Sequence, residues 1–508
     1  MVVKCNSLGL FGIDSFCVEV EADVSKGIPA FDIVGLPDAS VKESKDRVRS
    51  ALKNCGFDFP TVRVIINLAP ADIKKEGPVY DLPILVALLS ATGQINADIS
   101  DSAFVGELSL SGELRKVNGV LPMAIKAAQS GIKKLFVPYE NACEGAVVQG
   151  VEVYPVKDVY ELTDYFKGRA VIEKAQYVHS ENEDKFDVLD FSQVKGQFEA
   201  KRALEIAAAG GHNVLLIGPP GSGKSMLAKR MGTILPKMTF DEMIETTKIH
   251  SVAGLVNAKS GLISNRPFRS PHHSISAVGL TGGGAVPRPG EISLCHNGVL
   301  FLDELPEFSR AALEALRQPV EDSKVTISRA MGRLTYPCSF TLIAAMNPCP
   351  CGFYNHPSRQ CSCSEDSVRR YLSKISGPLL DRIDIHVEVG AVDYDDLTSK
   401  SQEESSETIR ERVNKAREIQ TARYNGTNIN CNANLDSSLF ESVCVTDDKA
   451  QALLKSAFER LSLTARAYDR ILKVARTIAD LDNSEVIKSH HITEAIQYRS
   501  LDRKYWGR

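Results

Sequence analysis

The feature that most constrains the fold is a glycine-rich turn that follows a short apolar run and precedes a helix-like segment. The apolar run is Val214–Ile217, and the helical pattern continues through Met226–Arg230. A strand, a G-x-x-x-x-G-K-[ST] turn and a helix in this order are typical of a phosphate-binding loop. A glycine-rich turn with a chance lysine is the alternative, but it would not require these flanks. The residues predicted to bind ATP are Gly218, Pro219, Pro220, Gly221, Ser222, Gly223, Lys224, Ser225 and Asp303.

The side chains of this turn have separate predicted roles. The glycines let backbone N–H groups close around the phosphates, and the N-terminus of the following helix adds its partial positive charge. Lys224 would reach the β- and γ-phosphates, and Ser225 would ligate Mg²⁺. The expected cofactors are therefore ATP and Mg²⁺.

A second apolar run ends in two carboxylates. Val299–Leu302 has the character of a buried strand, and Asp303 and Glu304 follow it directly. Asp303 is predicted to complete the Mg²⁺ site, and Glu304 is predicted to polarise the attacking water as a general base. Two carboxylates could reflect ordinary polarity at a strand end, but the phosphate-binding loop favours the catalytic interpretation.

Three further side chains fit a hydrolytic site. Asn347 ends the apolar run that starts at Thr341, where it could orient the water or the γ-phosphate. Arg382 precedes another strand candidate; it either pairs with a neighbouring aspartate or stabilises charge at an adjacent subunit's γ-phosphate. Arg466 opens a long helical pattern and could sense the nucleotide, although helical arginines usually face solvent.

Length and charge limit the classes of protein to consider. The 508 residues exceed what one hydrophobic core supports, so two or three domains are expected. The formal net charge of −4 excludes a globally basic nucleic-acid binder but leaves a local basic stripe or pore. No run approaches the roughly 20 apolar residues of a membrane span, and the N-terminus has no signal-peptide pattern. We expect a cytoplasmic protein with no membrane partner.

Hydrophobic patterning divides the chain into four segments. Residues 1–168 alternate β-like runs with helical stretches, which predicts an α/β domain, and residues 169–190 have the polar character of a linker. Strand candidates separated by helical patterns over residues 191–392 predict a mostly parallel sheet with helices on both faces. Residues 393–508 predict a small helical domain. The strand candidates of the third segment are Val214–Ile217, Val299–Leu302, Thr341–Ala345 and Ile383–Val389.

Four of the twelve cysteines cluster on one polar stretch. They form two pairs, Cys349-Pro-Cys351 and Cys361-Ser-Cys363, with nine residues between the pairs. Four thiolates satisfy the tetrahedral preference of Zn²⁺, although C-x-C is a less common spacing than C-x₂-C. Disulfides are rare in a reducing cytosol. The cluster therefore predicts a structural zinc site, in which His356 could replace one thiolate.

Two segments that carry cations are candidates for contact with a nucleic-acid backbone. Thr247–Gly290 separates the two halves of the ATP site and has the Gly-rich, cationic composition of a pore loop. Lys324–Tyr336 predicts a β-hairpin with Arg329 and Arg333 near its tip, and an ordinary surface hairpin is the alternative. The arginines and histidines of the first segment are Arg266, Arg269, His272, His273 and Arg288.

Several runs resemble the ComM/YifB family of magnesium-chelatase-like AAA+ proteins, and the resemblance covers essentially the whole chain. The runs that carry it are Gly35-Leu-Pro-Asp-Ala-Ser, Asn67-Leu-Ala-Pro-Ala-Asp, Arg266-Pro-Phe-Arg-Ser-Pro-His-His and Met346-Asn-Pro-Cys-Pro-Cys-Gly. The resemblance implies an α/β fold: a P-loop AAA+ core with a helical lid, preceded by a Lon-protease-like (ribosomal S5 domain 2-like) α/β domain.

The resemblance also implies roles and assembly. The order Asp303/Glu304, Asn347, Arg382 and Arg466 is similar to the order of Walker B, sensor 1, arginine finger and sensor 2 in this clade. Members are implied to form ring hexamers with ATP sites at subunit interfaces. ComM-type members are implicated in branch migration of DNA during natural transformation.

The N-terminal domain resembles the proteolytic domain of Lon without its catalytic dyad. Val79 follows the Glu76-Gly-Pro run where Lon needs a serine nucleophile, and Leu121 stands where the activating lysine would align. The sequence therefore predicts a protease-like fold without protease chemistry, used either for assembly and nucleic-acid contact or as a structural collar.

The leading functional hypothesis is a hexameric ATP-driven DNA motor that promotes branch migration, with single-stranded or branched DNA as its partner. A magnesium-chelatase-like metal-insertion motor is one alternative, but the protease-like domain argues against it. A protein-remodelling ATPase is another. Its pore normally presents an aromatic residue after the phosphate-loop helix, and here only Phe240 is available.

Overall fold

The structure is a computed structural model that describes residues 2–177, 189–284, 287–329, 332–356, 359–390, 403–427, 429–461 and 463–507. It forms two compact units. The first contains Met1–Glu183 and Phe240–Ser264, and the second contains Asp184–Thr239 and Asn265–Arg508. The sequence did not predict that Phe240–Ser264 lies in the first unit. Half of the predicted linker, residues 178–188, lies outside the described residues, so the four domain boundaries remain predictions.

A seven-stranded mixed sheet forms the centre of the first unit. The strands of this unit are β1 Val2–Phe11, β2 Asp14–Ser25, β3 Ala30–Val34, β4 Arg63–Ala69, β5 Ser102–Phe104, β6 Glu107–Leu108, β7 Leu114–Arg115, β8 Lys134–Pro138 and β9 Glu152–Val156. The sheet order is β3-β4-β2-β1-β5-β8-β9, and β6 pairs separately with β7. In β2, Val18, Val20 and Ala22 are buried and alternate with more exposed residues, because successive side chains of a strand point to opposite faces.

Helices cover this sheet with apolar surface. Asp81–Ala91 is almost entirely buried. The helices of the first unit are Ala39–Asn54, Asp81–Ala91, Val120–Gln129, Ala142–Gly145, Val159–Phe166 and Phe240–Val252, with 3₁₀ turns at Pro78–Tyr80 and Tyr139–Asn141. The neighbouring strands β5 and β6 belong to different sheets, although only two residues separate them.

The second unit contains a five-stranded sheet in which every neighbouring pair is parallel. The strands of this unit are β10 Val214–Ile217, β11 Phe268–Arg269, β12 Gly282–Gly283, β13 Arg288–Pro289, β14 Gly298–Leu302, β15 Lys324–Arg329, β16 Gly332–Pro337, β17 Phe340–Met346 and β18 Ile385–Glu388. The order of the sheet is β11-β14-β17-β10-β18. The prediction of a mostly parallel sheet is confirmed, and all four strand candidates lie in it.

Helices separate the strands of this sheet along the chain. They also make up most of the C-terminal part of the second unit. They are Phe198–Gly210, Lys224–Ile234, Ala277–Thr281, Glu291–Leu294, Arg310–Ala315, Arg317–Asp322, Glu365–Leu372, Gly377–Leu380, Ser406–Arg423, Phe440–Val443, Asp448–Leu461, Ala465–Leu481, Ser489–Gln497 and Ser500–Trp506. Thr464 caps the predicted long helix Ala465–Leu481 by accepting from the N–H of Ala467. Within the described residues, no helix is both long and apolar enough to span a membrane.

The strand order determines where the predicted site residues can meet. β14 and β10 are the two neighbours of β17, and all three strands run in the same direction. The loops after their carboxyl ends therefore emerge at one edge of the sheet, which is where parallel α/β proteins bind ligands.

Candidate nucleotide-binding site

The phosphate-binding loop joins β10 to the helix Lys224–Ile234. A side chain at Gly218 would collide with the carbonyl oxygen of Val389, and Gly223 has a φ of 91°, so both positions favour glycine. Lys224 is buried, and its Nζ donates to the carbonyl oxygens of Gly218 and Pro219, each at 2.8 Å. Burial lowers the pKa of Lys224 to about 8, and the charge of Asp303 opposes that shift.

The lysine also contacts the end of the neighbouring strand. Its Nζ lies 3.2 Å from Oδ1 of Asn347, the first residue after β17. Asn347 therefore reaches the phosphate-binding loop, as expected of a side chain that orients the γ-phosphate or the water. The sheet order brings together two residues that are 123 positions apart in the sequence.

A pair of oxygen ligands suitable for Mg²⁺ lies beside the lysine. Oγ of Ser225 donates to Oδ2 of Asp303 at 2.6 Å, and Asp303 immediately follows β14. Mg²⁺ prefers hard oxygen ligands such as these and usually completes its shell with waters and phosphate oxygens. The residues present thus fit the metal that the sequence predicts.

Glu304 occupies an unusual backbone conformation at the same edge. Its φ is 54°, in the left-handed region, and its own N–H donates to Oδ1 of Asp303 at 2.9 Å. Such strain in a non-glycine residue tends to occur at functional sites. The carboxylate is 57% exposed and lies 3.3 Å from Nδ1 of His273. Sequence reasoning did not connect His273 with Glu304, because 30 residues separate them and no local pattern indicates the contact.

The two arginines predicted to act on the nucleotide have different surroundings. Arg382 forms an ion pair with Glu321 and donates to the carbonyl oxygen of Pro378. Arg466 is exposed in the first turn of its helix. It is Arg470, one turn later, that binds Oδ1 of Asp384 at 2.6 Å.

The predicted pore-loop segment does not form one loop. Its first part, up to Ser264, belongs to the first unit. In the second unit, Arg269 binds Glu291 through two bonds of 2.6 and 2.7 Å, and Arg266 donates to the carbonyl oxygens of Pro236 and Asn297. These two arginines therefore have structural partners within the chain. Arg288 is exposed on β13.

The predicted hairpin is present as the antiparallel pair β15–β16, with Arg329 opposite Gly332. Residues 330–331 at its tip lie outside the described residues, as does the environment of the Arg329 side chain. Arg333 is exposed. The hairpin begins three residues after Glu321, the partner of Arg382.

The four clustered cysteines meet in space. The sulfur of Cys349 lies 3.3 Å from that of Cys351 and 3.7 Å from that of Cys361, and the Cys351–Cys361 distance is 3.5 Å. The sulfur of Cys363 completes a group in which all four lie within 4.8 Å of one another. Sulfurs placed tetrahedrally at ~2.3 Å from zinc would be about 3.8 Å apart, so the group fits that ion.

One of these thiols is poised to ionise. Burial opposes ionisation of Cys351, but backbone N–H groups of Phe353 and Ser362 donate to its sulfur and lower its pKa to about 5. The thiolate is the form that binds metals. His356, the alternative fourth ligand, instead accepts from the N–H of Arg359 through Nδ1 at 3.2 Å.

The two positions where Lon has its dyad are buried in the first unit. Val79 lies in the apolar core, and Leu121 is 0% exposed in a separate cluster with Val147 and Leu262. Met243 and Ile244 of the inserted helix pack against the same cluster. The segment Phe240–Ser264 therefore packs over Leu121, the position where Lon has its activating lysine.

A buried carboxylate anchors this inserted segment. Glu144 is 3% exposed, accepts from the N–H of Leu121 at 2.9 Å and accepts from the hydroxyl of Ser251. Burial raises the pKa of Glu144, and its hydrogen bonds oppose that shift. Lys116 donates to the carbonyl oxygen of Val256 at 2.8 Å, which fixes the chain just beyond the helix.

Comparison with known proteins assigns the family. Residues 190–397 match the family described as magnesium chelatase, subunit ChlI, residues 20–141 match subunit ChlI of Mg-chelatase, and residues 403–499 match the ChlI C-terminal region. The chain is 44% identical to YifB of Escherichia coli over 497 residues, which cover 97% of this chain and 96% of YifB. This chain belongs to the ComM/YifB family of magnesium-chelatase-like AAA+ proteins.

Two further relatives support both parts of this ComM/YifB protein. The competence protein ComM of Haemophilus influenzae is 44% identical over 499 residues, with 97% of this chain and 96% of ComM covered. Lon protease 2 of Bacillus subtilis is 29% identical over 179 residues, 31% of this chain and 32% of Lon. The predicted α/β fold, an AAA+ core with a Lon-protease-like N-terminal region, is confirmed.

Proposed function

We propose that this ComM-type protein is an ATP-driven DNA motor that promotes branch migration as a hexamer. The observation that carries the proposal is the convergence of Lys224, Ser225, Asp303 and Asn347 at one edge of the parallel sheet. These groups offer a cation for phosphates, two oxygen ligands for Mg²⁺ and an amide for orientation, which are the parts that phosphoryl transfer requires. ComM carries the name of a competence protein, which supports DNA as the substrate.

Each residue has a stated role in this proposal. Ser225 and Asp303 would hold Mg²⁺, which would supply positive charge against the phosphates. Lys224 leaves its loop carbonyl partners and binds the β- and γ-phosphates. Glu304 accepts a proton from the attacking water, for which its 57% exposed carboxylate is accessible. Asn347 orients the water or the γ-phosphate.

The proposed hexamer makes the site shared between subunits. Arg382 acts on the nucleotide of a neighbouring subunit as an arginine finger, and Arg466 acts as sensor 2 at the nucleotide. In the single chain Arg382 is paired with Glu321, so it must exchange this carboxylate for phosphate oxygens on assembly. The Glu321 carboxylate is 53% exposed but the Arg382 side chain is only 12% exposed, so the guanidinium must also turn outward when it leaves this partner.

DNA is proposed to contact the hairpin β15–β16. Exposed Arg333 supports this role, since phosphate contacts dominate non-specific affinity for DNA. The pairing of Arg382 with Glu321, just before β15, gives the hairpin a short connection to the arginine finger.

A structural zinc ion is proposed at Cys349, Cys351, Cys361 and Cys363. Three of the sulfurs lie 3.3 to 3.7 Å apart, and the sulfur of Cys363 lies within 4.8 Å of each of them, which suits tetrahedral coordination. Four cysteine ligands leave no open position, so this ion has a structural role and takes no part in hydrolysis.

A metal-insertion motor is the second candidate, because the matched family descriptions name magnesium chelatase. A protein-remodelling ATPase is the third, and it has only the exposed Phe240 in its favour. Both alternatives retain ATP hydrolysis but do not require DNA.

The test is the ATPase rate without DNA and with single-stranded, double-stranded and branched DNA. We expect stimulation by DNA, largest for the branched form, and loss of activity in Lys224→Ala and Arg382→Ala. An active ATPase that is indifferent to every DNA would reject the DNA motor and favour the other two candidates. Absence of ATPase activity under all conditions would reject the nucleotide site itself.

A further inference from the structure

We infer that the four-cysteine loop supports the phosphate-binding loop through the contact of Gly352 with Pro220, so that metal binding by the cysteines sets the affinity for ATP. This inference rests on the proposed zinc and ATP sites. It adds a positioning role to a metal that would otherwise only stabilise a loop.

The contact between the two loops leaves no room for a side chain. Gly352 is buried, and a Cβ at this position would collide with Cδ of Pro220 and lie 2.8 Å from its Cγ. Pro220 is the third residue of the phosphate-binding loop. The Gly352 backbone therefore packs directly against the turn that would surround the phosphates.

The cysteines determine the position of that glycine. Cys349 to Gly352 form a tight turn in which the N–H of Gly352 donates to the carbonyl oxygen of Cys349 at 3.0 Å. Gly352 has a φ of 85°, a conformation that side-chain-bearing residues rarely adopt. Both sulfurs of the turn, from Cys349 and Cys351, belong to the metal-ligand group. A metal bound by these sulfurs would therefore fix the turn that presents Gly352.

The same stretch of chain contacts the phosphate-binding loop a second time. Asn347, two residues before Cys349, lies 3.2 Å from Nζ of Lys224. A shift of the cysteine turn would therefore disturb both Pro220 and the amide that contacts the lysine. The two contacts involve the third residue of the phosphate-binding loop, Pro220, and its seventh, Lys224.

The stretch has no regular secondary structure in its described residues, since none of those between Met346 and Glu365 belongs to a helix or a strand. Cys361 and Cys363 come from the far end of this stretch and meet the first pair through their sulfurs. A bound metal would cross-link the two ends, which is the usual function of a closed four-cysteine zinc site.

The experiment measures metal and nucleotide separately on the full-length chain. Metal content is measured by elemental mass spectrometry, and affinity is measured with a fluorescent ATP analogue under non-hydrolysing conditions. The variants are Gly352→Ala, which alters the contact and keeps all four cysteines, and the double variant Cys361→Ser with Cys363→Ser, which removes two ligands and leaves Gly352 and its neighbours unchanged in sequence. Gly426→Ala is the matched control, because Gly426 has a similar φ of 81° and no atom near its Cβ position.

We expect one zinc per wild-type chain. Gly352→Ala should keep the metal and weaken binding of the analogue by about tenfold, a change of ~1.4 kcal/mol. The double cysteine variant should lose the metal and weaken binding to a similar extent, and Gly426→Ala should match the wild type in both readouts.

Each contrary outcome identifies the part that fails. If the wild type contains one zinc per chain but both variants bind the ATP analogue as tightly as the wild type, the proposed link between the metal and ATP affinity is wrong. The zinc site itself would then still be supported. Absence of zinc from the wild type would overturn the metal itself. If the wild type binds the analogue no better than Lys224→Ala, the proposed ATP site is wrong. Circular dichroism of every variant checks that lost binding is not lost folding.

Discussion

The two units are both α/β structures, but they differ in what occupies the positions where chemistry would be expected. In the first unit, Val79 and Leu121 are buried apolar residues, and the inserted segment Phe240–Ser264 packs over Leu121. In the second unit, Lys224, Asp303 and Glu304 gather at an edge of the sheet where a phosphate could reach them. The comparison teaches that a fold related to an enzyme is no evidence of activity until the reactive side chains are found.

Two carboxylates, Glu144 in the first unit and Glu304 in the second, differ in their burial and in their hydrogen bonding. Glu144 in the first unit is enclosed and accepts from Leu121, Asn141 and Ser251. Glu304 in the second unit is more than half exposed and held in a strained conformation. A satisfied buried carboxylate stabilises a packed interface, whereas an exposed one beside a metal site can exchange protons.

The largest difference is expected from substitution of one lysine in each unit. Lys224→Ala should abolish measurable ATP binding and hydrolysis, because the loop loses its cation for the phosphates. Lys74→Ala, at a half-exposed lysine paired with Glu76 in the first unit, should leave both unchanged. Analogue binding and phosphate release measure the effect. Equal loss in both variants would show that the lysine acts through folding.

A charge placed at the missing dyad position should damage the first unit. Leu121→Lys places an ammonium group in the apolar cluster beneath Met243 and Ile244. The nearby Glu144 carboxylate already accepts from three donors, so we expect a loss of about 3 to 5 kcal/mol in local stability. Leu121→Met, which keeps the volume, should cost less than ~1.5 kcal/mol. Hydrogen exchange of peptides from the first unit measures both. Unchanged protection in Leu121→Lys would show that the position is open to water.

The lowered pKa of Lys224 in the second unit predicts that the affinity for ATP depends on pH. The protonated lysine binds phosphate, so affinity for ATP should be constant below pH about 8 and fall above it. The fall is at most about tenfold per pH unit, until the pKa of the lysine in the complex is reached. Lys224→Arg should remove this dependence, because arginine stays protonated. An affinity that is constant up to pH 9.5 would contradict the assignment.

The raised pKa of Glu144 predicts a smaller effect in the first unit, a dependence of local stability on pH. The folded state holds this proton more tightly than the unfolded state, so the stabilisation is complete below the ordinary pKa of 4.5 and declines as pH rises through the raised value. Glu144→Gln should remove the decline and change local stability by about 1 kcal/mol.

Hydrogen exchange of the helix Phe240–Val252, corrected for intrinsic rates, tests this prediction at several pH values. Glu173→Gln, at an exposed carboxylate of the same unit, is the control. Identical pH profiles for wild type and Glu144→Gln would mean that Glu144 does not hold the helix.

Local patterns predicted most of the second unit. The phosphate-binding loop lies in consecutive residues, so its motif was complete in the sequence. Asp303 and Asn347 followed because each ends a strongly apolar strand, and the carboxyl ends of parallel strands meet at one edge. The cysteine pairs were also recognisable from spacing alone.

Contacts between distant residues had no such signal. The approach of His273 to Glu304, the pairing of Glu321 with Arg382 and the packing of Gly352 on Pro220 each join surface or loop positions of ordinary composition. The docking of Phe240–Ser264 in the first unit was missed for the same reason. Met243 and Ile244 of its helix pack against the cluster around Leu121, a contact between positions more than 120 residues apart in the sequence.

The most direct test of the central claim is a mixing experiment with two inactive variants. Lys224→Ala lacks the phosphate-binding lysine, and Arg382→Ala lacks the arginine finger. If ATP sites are shared between subunits, mixed assemblies contain some sites with both residues intact. We therefore predict that the mixture regains an ATPase activity stimulated by branched DNA that neither variant has alone. A mixture that forms joint assemblies yet stays inactive, or an Arg382→Ala variant as fast as the wild type, would contradict the account.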